Sequence, residues 1–220
     1  MRFPNHALAA CALLLAVALT APAEAGDLLE GSGKLETRTL EPGTFSKIDL
    51  GGAFDVEVTI GKTPKVEITI DDNLWDNLEA AVKDGTLDLD WKRNCSPSDH
   101  CTARITTAAL EEFTLHGAGD VGIKGLDGEG LVFYLRGAGD VQLDGKVHDL
   151  QIFLTGAGNC DARNLQAQDV AIVLSGVGNC EAFAGKSIDV DITGVGNVTY
   201  WGNPGQKNVN VAGMGNVEAK

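Results

Sequence analysis

The amino-acid sequence predicts an all-β fold, a parallel β-helix (solenoid) with about 19–20 residues per coil and a less regular N-terminal β cap. Three observations favour this fold. A short glycine motif recurs at an even interval, apolar and polar residues alternate before each copy, and helical periodicity is absent. An even period with small slippage is typical of a solenoid, in which each repeat contributes one coil.

The repeated motif has the form Gly-x-Gly-Asx and occurs six times in the C-terminal half, for example in "LTGAGNC" and "LSGVGNC". Successive copies are separated by 20, 19, 20, 18 and 19 residues. Glycine allows positive φ or close backbone packing, and Asx residues favour turns, so the motif is typical of a sharp corner. The Asx side chains are expected to form a structural ladder that hydrogen-bonds from coil to coil. Its members are Asp120, Asp140, Asn159, Asn179, Asn197 and Asn216.

The residues on either side of each corner alternate in the manner of β-strands. The positions four and two before the first glycine are apolar in every copy, as at Phe133 and Leu135, and polar or small residues mostly separate them. After the corner, an apolar residue such as Val141 restarts the inward column. Each coil is therefore expected to contain a strand, the corner, a second strand and a loose turn.

Residues 34–110 predict a less regular β-structure that covers one end of the solenoid. The stretches 54–61 and 65–72 alternate as strands, and Asp84-Gly85 separates two apolar-patterned runs as in a hairpin. A single helical turn is expected at residues 73–76. Together with the regular repeats of residues 111–220, this half is expected to form one domain, residues 34–220.

Residues 1–25 have the pattern of a secretory signal peptide, with a positive residue, an apolar stretch and an Ala-x-Ala cleavage site. Cleavage is expected between Ala25 and Gly26, followed by a short linker over residues 26–33. Cys11 in "LAAC" offers the alternative of a lipoprotein signal, but the apolar run continues beyond this cysteine. The protein is therefore expected in the periplasm, in the cell envelope or outside the cell.

The charge and hydropathy of the chain exclude several classes of partner. The formal net charge is −14, whereas nucleic acids and anionic membranes are bound by clustered Lys and Arg. No stretch after the signal peptide reaches the ~18 apolar residues of a transmembrane helix. We therefore expect neither a nucleic-acid partner nor a transmembrane segment, and no cofactor is predicted.

The sequence "FSKIDLGGAFDVEVTIGKTPKVEITIDDNLWDNLEAAVKDGTLDLDW", followed by the repeated corners, resembles the bacterial head GIN domain, a family labelled as auto-transporter adhesin domains. The resemblance covers residues 35–217. It implies an exported β-helical domain whose biochemical role is not established. Because the family has no agreed catalytic or binding residues, it implies none for this chain.

Four cysteines follow the signal peptide, and an even number in an exported protein favours disulfides. Cys95 and Cys101 flank an irregular loop and are expected to form a disulfide that closes it. Cys160 and Cys180 occupy equivalent positions in adjacent coils and are expected ~4.8 Å apart, which makes a disulfide a candidate there as well. The alternative at this second pair is two buried thiols in place of the valines of other coils.

No metal site is predicted. The loop of residues 95–101 offers ligand types that zinc accepts, but it is cramped for four tetrahedral ligands. Calcium requires six to eight oxygen ligands, and only two of the six corners contain Asp. Asp120 and Asp140 could at most hold one weak ion between adjacent coils.

The predicted binding site is an outward column three residues before each corner. Tyr134, Phe153 and Val173 are expected to form a small apolar stripe across neighbouring coils. Contiguous exposed apolar residues can mark an interaction site. The alternative is that another part of the chain covers the stripe.

These features predict an exported, non-enzymatic, adhesin-like binding module of the cell envelope, with an envelope protein or a glycan as its partner. The short turns between coils and the lack of a nucleophile elbow or P-loop argue against an enzyme, including a polysaccharide-active β-helix enzyme. A second hypothesis is a self-assembling envelope scaffold. In that case the last coil, residues 208–217, would form a homo-oligomer through its open strand edge.

Overall fold

The computed structural model describes residues 28–220, which form a parallel β-solenoid, as the repeat spacing predicts. The predicted signal peptide and its cleavage site lie outside the described residues. A short 3₁₀ helix spans Asp72–Asn77. The strands of the described residues are, in chain order, β1 (Leu29–Glu30), β2 (Leu35–Leu40), β3 (Lys47–Leu50), β4 (Phe54–Ile60), β5 (Lys65–Asp71), β6 (Leu78–Lys83), β7 (Thr86–Trp91), β8 (Cys95–Ser96), β9 (Cys101–Thr107), β10 (Glu112–Leu115), β11 (Val121–Leu135), β12 (Val141–Leu154), β13 (Cys160–Leu174), β14 (Cys180–Ile192), β15 (Val198–Trp201), β16 (Gln206–Val211) and β17 (Val217–Ala219).

Most of these strands belong to one continuous sheet that winds around the solenoid axis. Its main path runs β6-β7-β3-β10-β11-β12-β13-β14-β15-β17, and β16 also pairs with β14. On the other side of the corner, β4 joins β11 to β9, which pairs with β5 and through it with β2. From β10 to β17 the strands are parallel. Inward residues therefore stack in columns, such as Phe113 on Phe133 with ring centroids 5.2 Å apart.

The regular coils differ from the predicted pattern of strand, corner, strand and turn. Each of β11 to β14 is one continuous strand of 13 to 15 residues that bends where a second turn was expected. The register shifts at the bend, as between Ile123 and Leu126. Because neighbouring coils supply hydrogen-bond partners on both sides, the ladder continues through the bend with only a local irregularity.

Successive corners approach each other so closely that they leave no room for a side chain. Gly158 has a φ of 146°, and a Cβ added to it would lie 1.9 Å from the carbonyl oxygen of Gly139. The N–H of Ala157 donates to the carbonyl of Gly137 at 3.0 Å, and the N–H of Gly158 donates to the carbonyl of Val177 at 3.0 Å. The corner glycines are therefore required by backbone-to-backbone stacking.

A seventh corner, which lacks the Gly-x-Gly-Asx motif, lies between β3 and β4 in the N-terminal half. Its sequence is "LGGAFDV", and its Ala53 pairs with Ala118 of the first Gly-x-Gly corner. Phe54 replaces the second glycine, and its ring stacks on Trp91 with centroids 5.3 Å apart. Because Phe54 stands in place of glycine, this corner does not match the motif, although its remaining positions follow the repeat.

The N-terminal half contains the predicted strands and hairpin, and the structure shows how these strands pair. β6 and β7 form the predicted antiparallel hairpin, with Asp84 at φ 50° and Gly85 at φ 77° in the turn. The 3₁₀ helix lies where a helical turn was expected. β4 and β5 do not pair with each other, because β9 lies between them, parallel to β4 and antiparallel to β5.

A buried carboxylate fastens two peripheral segments to this half. Asp71 is fully buried and accepts hydrogen bonds from the N–H of Ser98 at 2.9 Å, from its Oγ at 2.5 Å and from the N–H of Gly33 at 2.8 Å. Burial by itself raises the pKa of Asp71, but the hydrogen bonds from Ser98 and Gly33 outweigh it and lower that pKa. Residues 28–33, within the predicted linker, are also held by the pairing of β1 with β8.

Neither the predicted Cys95–Cys101 disulfide nor the candidate Cys160–Cys180 disulfide is seen in the structure, where all four cysteines are free thiols. Cys160 and Cys180 are buried register partners in parallel strands. Parallel neighbours keep their Cβ atoms about one strand spacing apart, ~4.8 Å, whereas a disulfide needs ~3.8 Å. The hydrogen bond that the Cys180 thiol donates to Cys160, together with burial, raises the pKa of Cys180. Burial raises the pKa of Cys101 to about 12.

Replacing Gly158 by alanine is expected to lower the free energy of unfolding by about 2 kcal/mol or more, because positive φ and the Gly139 carbonyl both oppose a Cβ. Gly122 on β11 is the matched control, since an added Cβ meets nothing within 4 Å. Gly122→Ala is expected to change the free energy by less than about 1 kcal/mol. Denaturant unfolding compares the two variants, and equal losses would contradict the role of the corner.

Replacing Asp71 by asparagine is expected to cost about 2 kcal/mol at neutral pH, because an amide cannot accept all three hydrogen bonds. The folded-state pKa lies below the unfolded value of about 3.9, so the carboxylate stabilises the fold above that pH. This stabilisation is lost as pH falls through the folded pKa. Unfolding measured from neutral to acid pH should therefore show a flatter acid limb for Asp71→Asn. The exposed Asp84→Asn is the control, and an equally flat limb there would refute the assignment.

The buried thiols are expected to resist alkylation in the native protein, because the thiolate is the reactive form and burial opposes it. Iodoacetamide at mildly alkaline pH should spare Cys101 and Cys180 until the chain is unfolded. Without reductant, the unfolded protein should then be alkylated at all four positions, including Cys95 and Cys160. Mass spectrometry of the peptides gives the result, and a cysteine pair that needs reduction first would contradict the free thiols.

Candidate functional site

Tyr134, Phe153 and Val173 come together on the outer face of the sheet. They are register neighbours on β11, β12 and β13, and all three are half-buried. The residues on either side of Tyr134, namely Phe133 and Leu135, are buried in the core. Period-two alternation therefore directs the column outward.

Val132 and Ala171 lie two residues before Tyr134 and Val173 on the same strands and flank the exposed Gln151 of β12. Both are half-buried. We name the five residues Val132, Tyr134, Phe153, Ala171 and Val173 the aromatic patch. Because they are only half-buried, no segment of the described chain fully covers them.

The two rings of the aromatic patch are already in contact with each other. Tyr134 and Phe153 stack with centroids 4.9 Å apart and 15° between their planes. The guanidinium of Arg136 lies 4.9 Å from the centroid of the Tyr134 ring. The Tyr134 ring is therefore packed against both Phe153 and Arg136 within the protein.

Carboxylates border the aromatic patch in both directions along its column. Toward the N-terminal strands, Thr114 of β10 follows Tyr134, and Asp49 of β3 and Asp88 of β7 come next in the same column. In the other direction, Asp191 of β14 continues the column after β13. Burial raises the pKa of Asp88, and the charges of Asp49, Glu79 and Asp90 raise it further. The carboxylates at the β3–β7 border therefore repel one another.

Few cations balance these borders. Lys47 Nζ lies 3.5 Å from Glu112 Oε2, and His116 Nε2 lies 3.3 Å from Asp49 Oδ1. The repeated motif does not predict the acidic border, because this border depends on how the N-terminal strands align with the regular coils. The available signal was the alternation in "KIDL" and "TLDLDW", which places aspartates on the outward side.

The corner side chains form a hydrogen-bonded ladder along the solenoid. Asn159 Nδ2 donates to Asp140 Oδ1 at 2.9 Å, and Asn179 Nδ2 donates to Asn159 Oδ1 at 3.0 Å. Backbone N–H groups also donate to the Oδ1 atom of the preceding coil. The residues linked in this way are Asp55, Asp120, Asp140, Asn159, Asn179, Asn197 and Asn216. The ladder therefore joins coils to one another, and it also includes Asp55 from the seventh corner.

One group of side chains within residues 28–220 brings three metal-ligand atoms together. His148 Nδ1, Asp149 Oδ1 and Asp169 Oδ2 all lie within 4.8 Å of one another. Lys186 Nζ already donates to Asp169 Oδ2 at 3.1 Å, and Ser187 Oγ donates to the other oxygen. The pKa of Asp169 is lowered by the hydrogen bonds from Ser187 and Lys186 and by the nearby charges of Lys186 and His148. A cation at this position would have to displace the Lys186 ammonium.

A shallow groove of about 590 Å³ lies on the side of the corner opposite the aromatic patch. Gly122 and Gln142 line it together with charged residues that pair with each other. Lys124 Nζ lies 3.2 Å from Glu57 Oε1, and Arg104 Nε lies 3.7 Å from Glu57 Oε2.

Across the described residues, no helix is long and apolar enough to cross a membrane.

Solved structures with the same architecture come from bacterial proteins described as adhesins. A putative adhesin from Bacteroides fragilis NCTC 9343 is 27% identical, with a TM-score of 0.72 over 87% of this chain and 100% of that chain. A putative adhesin from Parabacteroides distasonis ATCC 8503 is 20% identical, with a TM-score of 0.54 over 88% of this chain and 100% of that chain. At 20% identity the second structure shows the shared fold alone.

A third structure, a putative lipid binding protein from Parabacteroides distasonis ATCC 8503, is also 20% identical, with a TM-score of 0.50 over 87% of this chain and 99% of that chain. A search of curated proteins found no match. Residues 44–204 match the family model described as "Putative auto-transporter adhesin, head GIN domain". This match spans most of the chain, and the protein belongs to the head GIN domain family.

Proposed function

We propose that this protein is an exported, non-enzymatic, adhesin-like binding module whose aromatic patch docks on a protein of the cell envelope. The observation that carries the proposal is the stacked Tyr134–Phe153 pair, half-exposed on an outer face and bordered by carboxylates. Family membership and the adhesin descriptions of its relatives support a role in binding. The signal-peptide pattern supports export.

The aromatic patch has the composition of an interface centre. Aromatic side chains contribute large apolar areas with little rotamer freedom to lose, and they are enriched among residues that dominate binding energy. The half-buried Tyr134 and Phe153 are fixed by their mutual stacking before a partner arrives. Binding to such a surface loses less conformational entropy than binding to freely rotating side chains.

The chemistry around the patch favours a protein partner over a glycan. A sugar ring packs best on an open aromatic face, whereas Tyr134 and Phe153 each use one face on the other. The carboxylates of Asp49, Asp88 and Asp191 offer complementary charge to Lys and Arg. The expected partner surface is therefore an apolar centre with basic residues around it.

The double variant Tyr134→Thr/Phe153→Thr is expected to weaken binding to isolated bacterial envelopes at least about tenfold, because it removes the rings at the centre of the contact. Threonine suits an outward strand position, and Thr114 already occupies the same column. Protease treatment of the envelopes should abolish binding, whereas periodate oxidation of their glycans should leave it. Added salt should weaken binding by screening the carboxylate borders.

Gln142→Thr is the matched control, because Gln142 is an exposed outward residue at the start of β12 and the corner of residues 137–140 separates it from Tyr134. Its binding should equal that of the wild type. Circular dichroism of all three proteins checks that the solenoid is intact. Unchanged binding of the double variant would move the site to another face, and binding abolished by periodate but not by protease would identify a glycan partner instead.

A further inference from the structure

The two ends of the solenoid differ in how they close the core. At the N-terminal end, the 3₁₀ helix and the β6–β7 hairpin cover it, and Leu74, Trp75 and Leu78 are 0%, 8% and 6% exposed. At the C-terminal end, the strand β16 leaves Val209 46% exposed and Val211 40% exposed. The core is thus sealed at one end and open to solvent at the other within the described residues.

The exposed valines occupy core positions rather than surface positions. Val209 pairs in register with Val190, and Val211 pairs with Ile192. Both partners, in the preceding coil, are 0% exposed. The same inward column is therefore buried in one coil and exposed in the next, because no described strand covers the last coil. Met214 of the last corner adds a further apolar side chain, 71% exposed.

The backbone at this end is also unpaired on one side. Within residues 28–220, β16 pairs only with β14, and β17 pairs only with β15. The outer edges of β16 and β17 therefore offer free N–H and C=O groups beside exposed valines. An open edge of this kind is a template for pairing with another strand.

The charge of the last coil is compatible with a second copy of the same chain. The chain as a whole carries −14, which opposes contact between most of its surfaces. Residues 206–220 contain only three charged side chains, Lys207, Glu218 and Lys220, with a sum of +1. This end therefore lacks the acidic excess that would keep two copies apart.

We propose that two copies of this protein pair through their C-terminal ends, tail to tail, and bury Val209 and Val211 of each against the other. The same edge on both copies makes the contact isologous, as in a two-fold dimer. The 3₁₀ helix and the β6–β7 hairpin cover the core at the N-terminal end, so a third copy finds no second surface of this kind there and assembly stops at two. The dimer does not depend on the partner proposed for the aromatic patch.

Sedimentation equilibrium of the purified protein over about 1 to 100 μM tests the dimer, which should form reversibly with concentration. Val209→Glu/Val211→Glu should raise the dimer dissociation constant at least about tenfold, because dimerisation would bury the added charges. Val177→Glu is the control, since Val177 is 58% exposed at a corner two coils away from the end. It should leave the dissociation constant unchanged.

A cross-linking experiment keeps the test decisive even if the glutamates disrupt the last coil. Asn210→Cys places a thiol on the exposed strand β16, and Thr39→Cys places one on β2, the outermost strand near the sealed end. With a short bismaleimide, Asn210→Cys should give covalent dimers well above the wild-type background, and Thr39→Cys should not. A monomer at every concentration, or dimers from Thr39→Cys alone, would overturn the proposal.

Discussion

The close approach of successive backbones at the Gly-x-Gly corner is the constraint on which the rest of this structure depends. An added Cβ at Gly158 would lie 1.9 Å from the carbonyl oxygen of Gly139, a distance that no side chain tolerates. At this approach the corner residues hydrogen-bond from coil to coil, with Ala138 pairing with Ala157 and Ala157 with Val177. The corner therefore sets the register of every strand that follows it.

Register in turn decides which side chains meet. Phe113 stacks on Phe133 inside the core, and Tyr134 stacks on Phe153 outside it, with similar separations of 5.2 and 4.9 Å between ring centroids. One repeated geometry thus builds both the core and the aromatic patch, because residues one coil apart are brought within contact distance. The aromatic patch therefore draws its residues from three adjacent strands, β11, β12 and β13.

The same geometry explains which sequence interpretations agreed with the structure and which did not. The corners, the Asp84-Gly85 hairpin and the helical turn depend on local backbone preferences, which a short stretch of sequence contains. The insertion of β9 between β4 and β5 depends on pairing between distant segments, and alternation alone carries no information about the partner. The candidate disulfide between Cys160 and Cys180 rested on the Cα spacing of adjacent coils, and the structure shows both cysteines as buried free thiols.

The sequence by itself determined the solenoid, the position of its regular corners and the outward column that contains Tyr134, Phe153 and Val173. These features follow from period and alternation, which are properties of the chain read in order. Only the tertiary structure brought Asp49 and Asp88 into that column. It also decided that Val209 is exposed at one end of the solenoid and that Leu74 is buried at the other. The physical reason is that charge environment and burial depend on which coil lies next to a residue, and for the irregular N-terminal strands and the last coil that neighbour is set by the fold.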